Sequence, residues 1–337
     1  MAMQQPKGNS FFRRNPSHLI SIMDLTRNDI LYILDKAEGM KTFCKEREKE
    51  KKERAHRTIL QPLKNATLYS IFDEPSTRTE GSFEGAMILL GGEVKNKKLD
   101  SSSQAKGESL KETLKVLSSF PSTDIIILRH PSESAIKEVV ETSFVPVINA
   151  GNGRDEHPTQ ALGDIFALRT RKGKLDGLEV AIAGDLKNGR TVHSLVYALA
   201  NFDIKIKLIS QEGLGLPPDV EQNIRKINPK IKIEKANSLD AATTSDAVYL
   251  LRLQKERLQT DQERSSYEAS YPKITKEFLA KAKKDVILMS PGPKHEELPE
   301  WTDNLPNSAY WEGIQSCFYI RMALLNLILI KQEDYPS

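Results

Sequence analysis

Short apolar runs recur along this chain, each followed by a stretch carrying helix signals, and that alternation limits the folds open to it. The runs lie at 66–72, 124–128, 145–148, 179–183, 205–209, 232–234, 246–250 and 285–289. Several are apolar on consecutive rather than alternate residues, the habit of strands covered on both faces in a parallel sheet. Strands alternating with helices predict an α/β chain of doubly wound parallel sheets and argue against a sandwich or barrel. At 337 residues there is room for two cores. The alternation restarts past residue 172, so residues 1–157 are expected to form one domain, completed by a closing helix at 313–331. Residues 158–312 form the second, with the boundary in a helix near 158–172.

Local signals fill in this outline. Thr26 followed three residues later by Asp29 reads as a capping box, and Ile30, Ile33, Leu34 and Ala37 make the buried stripe of the helix behind it. That helix is expected to run into Lys45–Arg57, whose mixed charges read as a solvated face. Residues 1–17 read as a polar, frayed tail, 100–108 as a polar loop and Asn149–Gly153 as another. Composition excludes several classes. No apolar run reaches membrane-spanning length; Cys317–Ile330, the most apolar stretch, is short and contains Arg321, so it reads as a buried terminal helix. The N-terminus lacks the apolar core of a signal peptide, and two cysteines, Cys44 and Cys317, fit a reducing cytoplasm. A net charge of +3 supplies no argument for nucleic acid. Six scattered histidines form no H-E-x-x-H, so no metal is expected, and no G-x-S-x-G elbow occurs.

The chemistry concentrates where strands end. The run 66–72 leads to Pro75, which breaks the strand, and Ser76-Thr77-Arg78-Thr79 opens a helix that Gly91-Gly92 ends. Three hydroxyls, free first-turn amides and the Arg78 guanidinium make that turn a phosphate cradle. The bland reading makes Ser76 only an N-cap. Other strand ends carry Arg129, His157 with Gln160, Arg190, Arg252 with Gln254, and the Pro291-Gly292-Pro293 turn. Singly, Arg129 reads equally well as a structural ion pair, His157 as a core histidine and Arg252 as part of a charged helix. Jointly they point to anionic substrates and electrostatic catalysis rather than hydrolysis by paired carboxylates. Gly184–Thr191 departs from G-x-x-x-x-G-K-[ST] only by Arg190 in place of lysine, which keeps an NTPase as the rival reading.

Beyond Ser76–Thr79, distinctive segments extend from His18-Leu19-Ile20-Ser21-Ile22 to the closing helix. They are Lys106-Gly107-Glu108, Arg129-His130-Pro131, Val147-Ile148-Asn149-Ala150-Gly151, His157-Pro158-Thr159-Gln160, Gly184-Asp185-Leu186-Lys187 with Gly189–Ser194, and Arg252–Arg257. Together they resemble the aspartate and ornithine carbamoyltransferases, most closely the aspartate branch. The resemblance implies transfer of a carbamoyl group from carbamoyl phosphate to L-aspartate, with no cofactor, in the pyrimidine route. It assigns the phosphate to Ser76, Thr77, Arg78 and Thr79, and the carbamoyl group to Arg129, His157 and Gln160. The aspartate carboxylates fall to Arg190 and Thr191 with Arg252 and Gln254, and the backbone at Gly292 and Pro293 faces the substrate. It also implies homotrimers in which Ser102 and Lys106 enter the neighbouring subunit's site, with a regulatory chain or partner enzyme left open. The roles given to Arg78, Thr79, Lys106, Arg129 and His157 are catalytic. Two positions depart from the family: Ser290 where histidine is usual, and Glu80 where arginine commonly follows. The alternatives are a relative acting on ornithine or another amine, against which Arg252 and Gln254 speak, and a silent homologue serving as a scaffold.

Overall fold

The computed structural model describes residues 11–13, 17–53, 61–98, 109–258, 260, 265, 267–268 and 270–330. The chain divides into two compact units, Met1–Gly153 with Phe318–Ser337, and Arg154–Cys317. The first holds strands β1 (Thr67–Phe72), β2 (Glu93–Lys97), β3 (Ile125–His130) and β4 (Val147–Asn152), all parallel, in the order β2-β1-β3-β4. The second holds β5 (Glu179–Ala183), β6 (Lys205–Ile209), β7 (Lys232–Ala236), β8 (Ala247–Leu250) and β9 (Ile287–Met289), also parallel, in the order β7-β6-β5-β8-β9.

Each sheet manages its two edges differently. The outer strands β2 and β7 carry charges (EVKNK and KIEKA) and are largely exposed. Charged edges resist pairing with other chains. The opposite edges are covered by irregular segments. Leu19 pairs with Ile148 on β4, and Ser308 pairs with Leu288 on β9. Between these edges the sheets are dry: Ile125 through Leu128 are fully buried, and Ile126 and Leu128 pack with Ile71, Leu114, Ile136 and Val147. Ala181, Val248, Leu250, Leu288 and Phe278 form the matching core of the second unit.

The helices start where the residues say they should. In α1 (Arg27–Lys52) Thr26 and Asp29 close the expected capping box, and Ile30, Ile33, Leu34 and Ala37 are buried. Its last turns are solvated, as the mixed charges imply, and residues 54–57 of that expected run lie outside the described residues. Helices α2 (Thr77–Leu89), α3 (Leu110–Ser119) and α4 (Ala135–Val140) complete the crossovers of the first unit. The second unit contains α5 (Pro158–Lys172), α6 (Arg190–Ala200), α7 (Pro218–Ile227) and a short α8 (Lys276–Lys281), which the apolar pattern did not announce. The last helix, α9 (Tyr310–Leu329), begins in the second unit, where Cys317 lies so close to Gly163 that a Cβ there would meet its sulfur at 2.3 Å. Its remainder belongs to the first unit. There Arg321 is almost fully buried, bonds the Ser82 hydroxyl and lies 5.2 Å from the Phe83 ring centroid. No helix among the described residues is long and apolar enough to cross a membrane.

Two expectations are corrected. The first 17 residues are not polar tail throughout, because Phe11 is buried and stacks edge-on with Phe12, which meets Tyr32. Burying two rings outweighs the polarity of their neighbours. Residues 149–152, read as loop, are the buried end of β4. Asn149 donates to Ile20 O and to Asn152 Oδ1 and accepts from Gly151 N, so side-chain amides supply the partners that let a polar sequence lie buried.

Glu179, at the start of β5, sits in a cluster of donors. Burial opposes its ionisation, but hydrogen bonds from Lys207, Thr244, Lys205 and Ser245 hold the carboxyl down to about 2 from an ordinary 4.5. A depressed carboxylate stabilises the fold above its unfolded value, and that contribution is lost as pH falls towards the folded one. Urea midpoints measured against pH should therefore drop through this window in the parent protein. Glu179→Gln should start lower at neutral pH and fall less steeply.

Candidate active site

Strand order reverses beside β1 in one sheet and beside β5 in the other. Chains leaving the carboxyl ends of the two strands at such a point diverge to opposite faces and leave a crevice, where open α/β sheets bind ligands. In the first unit Ser76–Thr79 follow β1 at that point, and Arg129 lies near the end of β3. In the second the loops follow β5 and β8, and carry Arg190, Thr191, Arg252 and Gln254.

The β1 loop is built as the sequence implied, with one refinement. Ser76 caps α2 by accepting the Thr79 amide at 3.3 Å, so the bland reading of Ser76 is also correct. Accepting that amide leaves its hydroxyl proton available to donate. Thr79 is buried, Ser76 half-buried, and Thr77 and Arg78 exposed. Amides at the first turn have no partner within the helix, which with the helix dipole favours an anion. Arg129, opposite Phe72 in register, is the ion pair the cautious reading foresaw: its Nε lies 3.2 Å from Glu74 Oε2. A second pair, His130 Nε2 to Asp73 Oδ2 at 3.6 Å, lies beside it. Glu80, one residue past the cradle, is half-buried. Burial and then Glu84 push its carboxyl up, against Lys98 and Arg129.

In the second unit one buried carboxylate ties two loops together. Asp185 accepts the amide and side chain of Asn188 at 3.1 Å and the amide of Gln254 at 3.3 Å. Gln254 returns a hydrogen bond to Asn188 O at 2.8 Å. Tyr271 completes the join, its hydroxyl accepting from Asp185 N and donating to Leu251 O. Burial, and then the Asp185 charge, push that phenol far up, so it stays a neutral bridge. Gly184 has φ +124°, and a Cβ there would lie 2.5 Å from Leu251 O. This loop is filled by its own aspartate instead of being open for a phosphate, which removes the NTPase reading.

Arg252 is not in a charged helix; it follows β8 and forks onto Glu256, with 3.0 Å between Nη1 and Oε2. The buried Tyr249 hydroxyl donates to Asp164, which also accepts from Gln160. His157 is buried at the head of α5, and its amide donates to Ser194 Oγ at 2.9 Å. Ser194 in turn donates to Glu156, and the His193 ring bridges Asp155 O and Leu186 O. After β9, Ser290 accepts the Gly292 amide at 3.2 Å and supports the turn, whose Gly292–Pro293 peptide is cis. The departure from histidine at 290 therefore has a structural use.

Within the first unit, then, Ser76, Thr77, Arg78, Thr79 and Arg129 stand at one switch point. Within the second, Arg190, Thr191, Arg252 and Gln254 stand at the other, with His157, Gln160, Gly292 and Pro293 on the elements around it. Ser102 and Lys106 lie outside the described residues. Sequence reasoning gave no role to Glu74, Asp185, Tyr271, Asp164 or Ser194. The only signal for Glu74 was its place just before the cradle, and for Asp185 its place just after a strand.

Residues 17–170 match the aspartate/ornithine carbamoyltransferase, carbamoyl-P binding domain, and residues 176–328 match the Asp/Orn binding domain of the same family. The aspartate carbamoyltransferase catalytic subunit of Archaeoglobus fulgidus is 41% identical over 93% of this chain and 99% of its own length. The multifunctional protein pyr-3 of Neurospora crassa is 38% identical over 93% of this chain, which spans 16% of that longer protein. Among solved structures, aspartate transcarbamoylase from Trypanosoma cruzi in complex with carbamoyl phosphate and aspartate superposes with a TM-score of 0.85. It is 33% identical, with 96% of this chain and 99% of that chain covered. Two doubly wound sheets with arginine-bearing loops at their switch points define an α/β protein suited to anionic substrates. More particularly, the chain belongs to the aspartate/ornithine carbamoyltransferase family.

Asp185→Ala leaves three donors facing an apolar side chain in a buried site, at a cost of at least about 2 kcal/mol. We expect a lower melting temperature and, by calorimetry, weakened aspartate binding with carbamoyl phosphate affinity retained.

Proposed function

We propose that this chain transfers the carbamoyl group of carbamoyl phosphate to the amine of L-aspartate, giving N-carbamoyl-L-aspartate and phosphate. The single observation that carries this reading is that each sheet has an anion-suited set at its own switch point, Ser76–Thr79 after β1 in one unit and Arg190, Arg252 and Gln254 after β5 and β8 in the other. The T. cruzi relative bound to carbamoyl phosphate and aspartate supports it.

In this reading Ser76, Thr77, Arg78 and Thr79 take the phosphate, and Arg129 exchanges Glu74 for substrate oxygen. The uncharged amine attacks the carbamoyl carbon. Arg129, His157 and Thr79 stabilise the oxyanion that develops, while Gln160 orients the carbamoyl amide. The bond from that carbon to the phosphate oxygen then breaks, the departing phosphate taking the proton that the amine nitrogen loses, with Arg78 and Lys106 offsetting the charge that leaves. Each such preorganised donor is worth about 3–4 kcal/mol when removed. Arg190 and Thr191 hold one aspartate carboxylate, and Arg252 and Gln254 the other, with the backbone at Gly292 and Pro293 closing round the substrate. Ornithine fits poorly, because its side-chain amine would be repelled by Arg252. A homotrimer that shares Ser102 and Lys106 between neighbours belongs to the same reading. So do a cytoplasmic setting and association with a regulatory chain or partner enzyme, supported by relatives named catalytic subunits and by the multifunctional one.

Supplying carbamoyl phosphate with aspartate or with ornithine, and measuring ureido product, tests the proposal: turnover is expected with aspartate alone. Ornithine turnover would move the chain to the other branch, and none would favour the scaffold. Arg78→Ala should lower kcat by about a hundredfold or more, with an unchanged melting temperature; activity like the parent's refutes the phosphate assignment. Mixing inactive Arg78→Ala and Lys106→Ala chains should restore activity if sites are shared across subunits.

A further inference from the structure

The turn 73–76 that presents the cradle is tied to the end of β3 by two side-chain pairs and one backbone bond. Arg129 meets Glu74 at 3.2 Å, His130 meets Asp73 at 3.6 Å, and Asp73 N donates to Arg129 O at 3.0 Å. The first tie is the one a substrate anion competes for, because a substrate oxygen and the Glu74 carboxylate draw on the same guanidinium. A cradle that lost its grip on β3 whenever Arg129 turned to substrate would be positioned worst at the moment it is needed.

We propose that His130 is a positioning residue for the anion cradle, holding Asp73 so that the β1–α2 turn keeps its place while Arg129 exchanges Glu74 for carbamoyl phosphate. This rests on the reaction proposed above. The imidazole is well prepared for it. Its Nδ1 accepts the Ser132 amide at 3.0 Å, which leaves the ring proton on Nε2, the atom that faces Asp73. The residue is also braced from behind. Its carbonyl accepts the Gly153 amide at 3.0 Å, and the segment that follows is held by Asn152, which donates to Glu133 O at 2.7 Å. A Cβ on Gly153 would lie 2.7 Å from Pro131 O, so the end of β4 presses directly on this segment. The histidine is thereby anchored to the sheet, and Asp73 is the group it restrains.

Carbamoyl phosphate affinity by calorimetry, kcat, aspartate KM and melting temperature, measured on His130→Ala, His130→Gln, Asp73→Ala and the double alanine variant, test this. His130→Ala should weaken carbamoyl phosphate about fivefold, the scale of one partly exposed pair. Aspartate KM at saturating carbamoyl phosphate and the melting temperature should stay near the parent's. Glutamine, whose amide can donate from the Nε2 position, should restore most of the affinity. Asp73→Ala should match His130→Ala, and combining them should add little. Parent-like affinity in both single alanine variants overturns the proposal, as do additive losses or a drop in stability that glutamine does not repair. Should the parent fail to carbamoylate aspartate, the reaction falls instead, and the same variants titrated with inorganic phosphate still decide whether His130 holds the cradle.

Discussion

The reversal of strand order at β1 and at β5 is the constraint on which the rest of this structure depends. Right-handed crossovers send successive helices to opposite faces of a parallel sheet, so the two central strands at the reversal end without a connection passing over them. That leaves exposed carboxyl ends flanked by helix N-termini, and α2 and α6 both begin there. Dipoles and free amides then make these the places where anions are cheapest to hold, before any arginine is added.

The arginines are added with counter-charges of their own. Arg129 pairs with Glu74 and Arg252 forks onto Glu256, each carboxylate coming from the same neighbourhood of chain. A half-buried guanidinium without an anion would be costly, so a native carboxylate keeps the cation ordered and ready. In the reaction proposed above a substrate anion exchanges with that carboxylate, and the net gain is smaller than a bare charge would offer. Asp185 works differently. It accepts from the Asn188 and Gln254 amides and the Asn188 side chain, and so joins the β5 and β8 loops.

Much of this was legible in the residues. The capping box of Thr26 and Asp29, the apolar stripe of α1 and the helix start at Ser76–Thr79 follow from local chemistry, and local chemistry is what a sequence displays. The errors came where long-range partners overrule it. Phe11 was read as tail because its neighbours are polar, and residues 149–152 as loop because asparagine usually marks turns. Asn149 is buried instead because Ile20 and Asn152, one of them distant in sequence, satisfy its amide. Ser290 looked like a loss and proved to be a support for the Gly292 turn.

The chain by itself determined the alternation of strands and helices, the positions of the anion-binding residue types and the family to which they point, because periodicity, caps and motif spacing are local properties. Tertiary structure alone decided which carboxylates Arg129 and Arg252 face, that Asp185 fills its own glycine-rich loop, and that Tyr249 and Gln160 meet at Asp164. Those depend on which strands become neighbours, and adjacency in a doubly wound sheet joins residues tens of positions apart.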